Sequence, residues 1–362
     1  MARKIKHIAA IRLSAMGDVA MTVPVIRAFM EQFGSENSKM DTGVTLTFIS
    51  NPFFKPFFDD IPNVNFFAFD AKNRHKGFLG LIRLFLDLKK LKIDAFADLH
   101  NVLRSKVVRN LFILNGIKVI SVNKGRAGKR ALIRSKNKIF TQQPTTIRRY
   151  VKVFRKLGFT IDLSHPNFPE KASLDPEIVN LIGEFPKSRE TKWIGIAPFA
   201  QYDSKVYPID LMQEVINQLA ENKNNKILLF GGGAKEIKIL NLLSGEKENV
   251  INVAGKIKFQ QELHLISNLD VMLSMDSGNA HIAAMLGVKV VTLWGATHPF
   301  SGFAPFNQPV ENTLLSDREL FPKLPTSVYG NKKVEGYEDA MRTISPEMVV
   351  NRVLNQIADF GI

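Results

Sequence analysis

Leu269-Asp270-Val271-Met272-Leu273-Ser274-Met275-Asp276-Ser277-Gly278-Asn279-Ala280-His281 is the stretch on which the fold turns. An apolar run, Leu269 to Ser274, passes through a short polar turn straight into a helix-like run, Ala280 to Leu286. A strand that becomes a helix in this way presents unpaired backbone N–H groups and the positive end of the helix dipole, which together make an anion site. On one reading the turn holds the phosphates of a nucleotide, with Ser277 and His281 as added donors. On the other it is an ordinary capped turn, with Asp276 or Ser277 as N-cap, Gly278 for the bend and His281 on the surface.

A second turn of the same kind stands near the start. His7 to Leu13 reads as a buried strand, Ser14-Ala15-Met16-Gly17-Asp18 follows, and a helical pattern runs from Val19 to Phe33. Asp18 is either a ligand of the site or a helix N-cap. Parallel α/β sheets bind ligands outside the carboxyl ends of their strands, so two such turns predict two α/β halves with their ligand edges facing one cleft.

The rest of the chain keeps this rhythm. Strands are expected at 7–13, 44–49, 64–69, 94–98 and 117–122, with helices at 19–33, 78–91, 102–114 and 145–158. After a polar, proline-bearing stretch at 162–191, with one short helix near 177–184, strands return at 193–197, 226–230, 250–253, 271–274 and 289–293. Helices at 208–221, 235–244, 259–268 and 279–286 separate them. Alternation of this sort implies parallel sheets covered by helices. The expected organisation is an N-terminal Rossmann-like domain over 1–165, a linker over 166–191, a second Rossmann-like domain over 192–344 and a closing helix over 345–362. No period is clear from Pro299 to Thr343, whereas Ser345-Pro346-Glu347 is a strong helix start.

A chain of 362 residues, 45% of them hydrophobic, can build two full cores without staples. It has no cysteine, which removes disulfides and thiolate chemistry. The basic start, Met1 to His7, leads into an apolar segment cut by Arg12, so no signal peptide is expected. No run of about 18 uncharged apolar residues occurs, and no membrane span is expected. The net charge of +15 is unevenly spread: residues 1–165 carry +19 and residues 166–362 carry −4. Leu99 to Ile161 holds sixteen Lys or Arg and no acid, including Arg126, Lys129, Arg130, Arg134, Lys136 and Lys138. This field suits nucleic acid, an acidic membrane surface or a polyanionic substrate, or else it is a solvated face kept for solubility.

Several motif classes are absent. Gly231-Gly232-Gly233 follows the strand at 226–230 but is not G-x-G-x-x-G, and no Walker A sequence occurs, which argues against a dehydrogenase and a P-loop enzyme. Glu236, just beyond the glycines, would accept from a ribose hydroxyl or simply favour the helix dipole. Lys205, in the loop Pro198 to Pro208, is either a phosphate partner or a solvent lysine, and His298 a ligand contact or a loop residue. There is no H-E-x-x-H and no Asp-x-Asp pair, so no metal or other cofactor is expected and a leaving diphosphate would be met by protein donors.

Together, Ile11-Arg12-Leu13-Ser14-Ala15-Met16-Gly17-Asp18, the Lys205-x-Tyr207-Pro208 loop and Asp276-Ser277-Gly278-x-x-His281 followed by Ala283-Ala284-x-x-Gly287 resemble glycosyltransferase family 9, the ADP-heptose:lipopolysaccharide heptosyltransferases. The resemblance implies a GT-B fold and transfer with inversion and without a metal. It implies acceptor binding by the first domain and ADP-sugar binding by the second. By position, Asp18 matches the general base. Lys205 matches the phosphate-binding lysine, Asp276, Ser277, Gly278, Asn279 and His281 the donor-diphosphate turn, and Glu236 the ribose acid. Gly17, His100, Asn101, Arg104 and Lys106 are expected on the acceptor side. An anionic glycolipid acceptor on the inner leaflet would explain the basic half. A cytoplasmic monomer, peripheral to the inner membrane, is expected. Two rival readings stay open: the same chemistry with another nucleotide sugar or glycan acceptor, and a nucleic-acid-binding protein. The second is disfavoured because Leu99 to Ile161 has few aromatics for base stacking.

Overall fold

The computed structural model describes residues 5–34, 43–183 and 190–358. By its contacts the chain divides into two units, residues 1–125 with 144–168, and residues 126–143 with 169–362. Each is a parallel sheet wrapped by helices.

The first unit runs β1 (His7–Ile11), α1 (Met16–Ala20), α2 (Val23–Phe33), β2 (Thr45–Ser50), β3 (Val64–Ala68), α3 (Gly77–Lys89), β4 (Ala95–Asp98), α4 (Leu103–Leu114) and β5 (Lys118–Ser121). Next in the chain comes α5 (Arg126–Leu132), which belongs to the second unit, and then α6 (Thr146–Leu157), which returns to the first. The strand order is β3-β2-β1-β4-β5, all parallel. Strand order therefore reverses between β1 and β4, where Ile11 lies beside Asp98 in register. Ile11, Ile49, Leu84, Leu88, Phe96 and Phe112 form the core on the α3 and α4 side. Phe112 is 1% exposed and packs on Phe85 and Phe96 with ring centroids 4.9 and 5.0 Å apart.

The second unit contains α7 (Pro176–Ile182), β6 (Lys192–Ala197), α8 (Ile209–Glu221), β7 (Asn225–Leu229), α9 (Gly233–Ser244), β8 (Val250–Asn252), α10 (Phe259–Ser267), β9 (Val271–Met275), α11 (Gly278–Met285), β10 (Lys289–Trp294), β11 (Thr313–Leu315) and α12 (Pro346–Ile357). Its order, β11-β10-β9-β6-β7-β8, again parallel, reverses between β6 and β9. The end of α12 expected beyond residue 358, and 184–189 of the expected linker, lie outside the described residues.

Three expectations need correction. The helix expected at 19–33 is two helices, because Pro24 starts a new one at α2 and cannot continue the old. The stretch 299–343, expected to be without period, contains β11 and several short 3₁₀ turns. Residues 126–143 were expected with the first domain but pack with the second unit. There Phe140 lies 4.9 Å from Phe300 and 5.0 Å from His298, with the Arg318 guanidinium 3.6 Å over its ring. Lys138 Nζ also donates to the carbonyls of Lys323 and Pro325, at 2.5 and 2.9 Å.

Phe112→Ala should cost about 3–5 kcal/mol, because it empties an aromatic site that the surrounding side chains cannot collapse into. Urea unfolding followed by circular dichroism measures it, and a loss below about 1 kcal/mol would mean this core repacks.

Candidate functional site

In both units the polar turns sit at the carboxyl ends of strands where strand order reverses, the place where open α/β sheets bind ligands. In the first unit, Asp18 lies inside α1. Ala15 occupies the N-cap position and no side chain caps the helix, so the N-cap alternative for Asp18 is corrected. Asp18 instead forms an ion pair with Arg12, whose side chain is 6% exposed against 29% for Asp18. Arg12 also donates from Nη1 to the Leu99 carbonyl at 3.1 Å. A cation fixed from below thus holds a carboxylate whose other side is open. Gly17, its neighbour, is half-buried.

The end of β4 is organised by Asp98, which is fully buried. It accepts from the backbone N–H groups of His100 and Asn101 at 3.0 and 2.7 Å, from Ser105 Oγ at 3.1 Å and from Arg109 Nη1 at 3.1 Å. His100 is buried, and its Nδ1 accepts from the Leu13 N–H at 3.3 Å, tying the end of β4 to the end of β1. Burial, reinforced by Arg12, Lys124 and Arg104, pushes the His100 imidazole down to about 3, so it is neutral at physiological pH. The Asn101 side chain braces the turn: Nδ2 donates to the Val122 carbonyl at 2.8 Å and Oδ1 accepts from Arg109 at 3.1 Å. Asn101 therefore shapes the turn at the end of β4, with one amide N–H and one oxygen lone pair beyond these two bonds. Arg104 and Lys106 are exposed in the first turn of α4.

In the second unit, Lys205 Nζ meets Asp276 Oδ2 at 3.0 Å, with side chains 12% and 8% exposed. The solvent-lysine alternative is thereby corrected. Asp276 also accepts from Thr297 Oγ1 at 2.8 Å. Ser277 is the N-cap residue of α11, yet its side chain makes no capping bond and instead lies 3.1 Å from Ser274 Oγ. The amides that open α11, those of Gly278 and Asn279, are thus left without a side-chain cap beside an ammonium group. His281 is 7% exposed, inside α11 rather than on the surface. Glu236 Oε2 accepts from the Gly232 N–H at 2.8 Å, which fixes the glycine turn.

The stem of Lys205 is held by a loop that sequence reasoning missed. Gly330 has φ +87°, and a Cβ there would lie 2.5 Å from Lys205 Cδ, so only glycine fits. Ser204 Oγ donates to the Gly330 carbonyl at 2.6 Å, and the Ala296 N–H donates to the Ser204 carbonyl at 3.0 Å. A cavity of about 150 Å³ opens beside this clamp, lined by Ser204, Ala296, Thr326, Lys332 and Tyr337 among others. Tyr207 is structural: fully buried, it donates from its hydroxyl to the Ile344 carbonyl at 2.6 Å. His298 is a scaffold residue too. Its Nδ1 accepts from the Phe300 N–H at 3.1 Å, and burial, with Arg318 and Lys138 adding to it, pushes the imidazole down to about 4.

Two parallel α/β units, each with charged side chains gathered at its strand-order reversal, make up a GT-B fold. The family model described as glycosyltransferase family 9 (heptosyltransferase) matches residues 81–329, and the chain belongs to that family. Among curated proteins it is 23% identical over 364 residues to the lipopolysaccharide core heptosyltransferase OpsX of Haemophilus influenzae, covering 99% of this chain and 97% of that one. Among solved structures it is similar to a family 9 glycosyltransferase from Veillonella parvula, with a TM-score of 0.72 and 18% identity over 99% of this chain and 98% of the other. It is also similar to the E. coli ADP-heptose lps heptosyltransferase II, with a TM-score of 0.66 and 20% identity over 97% and 98%. The fold and the enzyme class are thereby established.

The two buried imidazoles generate a pH dependence. Their folded pKa values, about 3 and about 4, lie below the ordinary value near 6.5, so the unfolded chain binds protons first as pH falls. Their contribution to stability is complete above pH 6.5 and declines below it, by up to roughly 1.4 kcal/mol per pH unit for each histidine. Urea midpoints at pH 7 and pH 5 should show the decline. His298→Asn, which keeps an acceptor for the Phe300 N–H, should remove one histidine's share, and an unchanged slope would show that His298 is protonated in the folded protein.

Proposed function

We propose that this chain transfers a heptose from ADP-heptose to an anionic inner-core lipopolysaccharide acceptor, inverting the anomeric centre without a divalent ion. The observation that carries the donor half is the Lys205–Asp276 pair at the uncapped start of α11. An ammonium has three donor protons, so Lys205 can stay on Asp276 and still bind a phosphate oxygen. The amides of Gly278 and Asn279 and the helix dipole add to the same field. A diphosphate is the ligand such a site favours. Lipopolysaccharide heptosyltransferase relatives support heptose, and the name of the E. coli structural relative carries ADP-heptose.

In the reaction, an acceptor hydroxyl oxygen attacks the anomeric carbon from the face opposite the diphosphate. The hydroxyl proton passes to the Asp18 carboxylate, and the bond from the anomeric carbon to the β-phosphate oxygen breaks with its electron pair remaining on ADP. Arg12 holds Asp18 in place through their ion pair, and because a carboxylate is a weak base proton transfer comes late. Lys205 and the α11 amides take up the charge that develops on the leaving ADP. Glu236 is assigned to the ribose, and Ser277 and His281 to the donor turn. Gly17, His100, Asn101, Arg104 and Lys106 are assigned to the acceptor side, with His100 acting as a neutral donor through Nε2. The protein works as a cytoplasmic monomer at the inner leaflet.

Calorimetric titration with ADP and UDP, each with and without EDTA, should show ADP-selective binding that survives the chelator. A preference for UDP would overturn the donor assignment. Lys205→Ala should weaken ADP binding and lower turnover about 10²- to 10³-fold. Asp18→Asn should leave ADP binding intact and lower kcat about 10²- to 10⁴-fold, and undiminished turnover in that variant would remove Asp18 from the chemistry.

A further inference from the structure

We infer that the solvent face of α3 and α4 is a membrane-docking surface that inserts into an anionic bilayer leaflet. Along α3 the exposed side chains Leu79, Arg83, Leu86 and Lys90 follow one another at helical spacing, with Phe78 at the start of the helix. Along α4, Leu103 and Leu114 occupy one face with the half-buried Val107 and Leu111 between them. Phe78, Leu79, Leu86, Leu103, Ile113 and Leu114 are 66, 69, 50, 78, 52 and 81% exposed. A single exposed leucine needs no explanation, but six large apolar side chains on two adjacent helices do. The helices are neighbours: Phe85 packs on Phe112, and Lys89 Nζ donates to Asn115 Oδ1 at 2.9 Å.

Charge identifies the occupant. Residues 71–121 contain eleven Lys or Arg and three acids, Asp87, Asp94 and Asp98. Asp87 is engaged by Arg74, His75 and Lys90, Asp94 accepts from the Lys6 and His7 N–H groups, and Asp98 is buried. The face is therefore basic as well as apolar. A second copy of this chain would bring two like-charged faces together, and a nucleic acid would have no use for the leucines. A leaflet with anionic headgroups over acyl chains satisfies both. Because α3 and α4 follow β3 and β4, both begin at the carboxyl edge of the sheet, where Phe78, Leu79 and Leu103 lie. Docking along this face would bring the edge carrying Asp18, Arg104 and Lys106 to the headgroup layer. That last point rests on the proposed lipid-borne acceptor; the docking itself does not.

The test is co-sedimentation of the full chain with vesicles of phosphatidylethanolamine and phosphatidylglycerol, against vesicles of phosphatidylcholine. The protein should bind the anionic vesicles and much less to the zwitterionic ones. Leu79→Ser/Leu86→Ser/Leu114→Ser should lower partitioning about tenfold or more, and Arg83→Glu about tenfold. Leu242→Ser, at an equally exposed leucine of α9, should change nothing. All variants should keep the parent melting temperature within a few degrees, since the residues are exposed. Absence of vesicle binding, equal binding to both lipids or unchanged binding by the triple variant would overturn the proposal. So would a concentration-dependent dimer that the triple variant abolishes, or oligonucleotide binding without vesicle binding. No sugar or nucleotide enters these readouts. Transfer to a delipidated acceptor tests the proposed reaction separately, and the triple variant should leave it unchanged while raising KM for acceptor embedded in vesicles.

Discussion

A parallel sheet cannot reverse its strand order without leaving a gap in its covering. Crossovers on either side of the reversal depart over opposite faces, and the strand ends between them stay uncovered at the carboxyl edge. This chain meets that constraint twice, between β1 and β4 and between β6 and β9. Each gap must be closed by side chains able to satisfy exposed amides and carbonyls while leaving room for a ligand. The first unit uses Arg12, bonded to the Leu99 carbonyl and to Asp18, with His100 accepting from Leu13. The second uses Lys205, Asp276 and Thr297. In both, a cation and a carboxylate share the edge, although the residues and their partners differ.

The two pairs are poised differently. Asp18 is the more exposed member of its pair, over a buried guanidinium, whereas Lys205 and Asp276 are both largely enclosed. Enclosing two charges has a desolvation cost that good geometry must offset, and Thr297 together with the Gly330 clamp supplies that geometry. An exposed carboxylate suits proton exchange with an arriving hydroxyl. An enclosed ammonium suits a ligand that brings its own negative charge and displaces water. The asymmetry agrees with the division of labour proposed for the two units.

The alternation of apolar strands with amphipathic helices made most of the fold legible, because a buried parallel strand is a short apolar run and each helix carries its own period. Asp18 and Asp276 could be placed at the ligand edge because each stands just past a recognisable strand, whereas Lys205 lies in the loop well beyond β6 and its phosphate role came from the family resemblance. Pro24, inside an apparently continuous helix, was a readable break that the period concealed. The attachment of 126–143 was not readable: a polar, basic run has no period. What ties it down is Phe140 against His298 and Phe300, and Lys138 against carbonyls nearly two hundred positions later. Nor could sequence reveal that the Asn101 amide bonds to Arg109 and Val122, or that Gly330 lets Lys205 pass.

The basic character of the first unit comes to its surface, because many of its acids are held at short range by folding contacts and the cations outnumber them. Asp98 is a buried hub, Asp94 caps backbone amides at the start of β1, and Asp70 accepts from the N–H groups of Lys72, Asn73 and Arg74. Asp87 is held by Arg74 and His75, and Asp60 by Arg27. Several of the lysines and arginines face water instead, Arg83, Arg104 and Lys106 among them. A charge count treats every residue alike, whereas the field outside the protein depends on which charges are already neutralised at short range. The uncompensated cations concentrate where the chain also exposes leucine and phenylalanine, and that coincidence of two costly surface features is what a solubility role alone leaves unexplained.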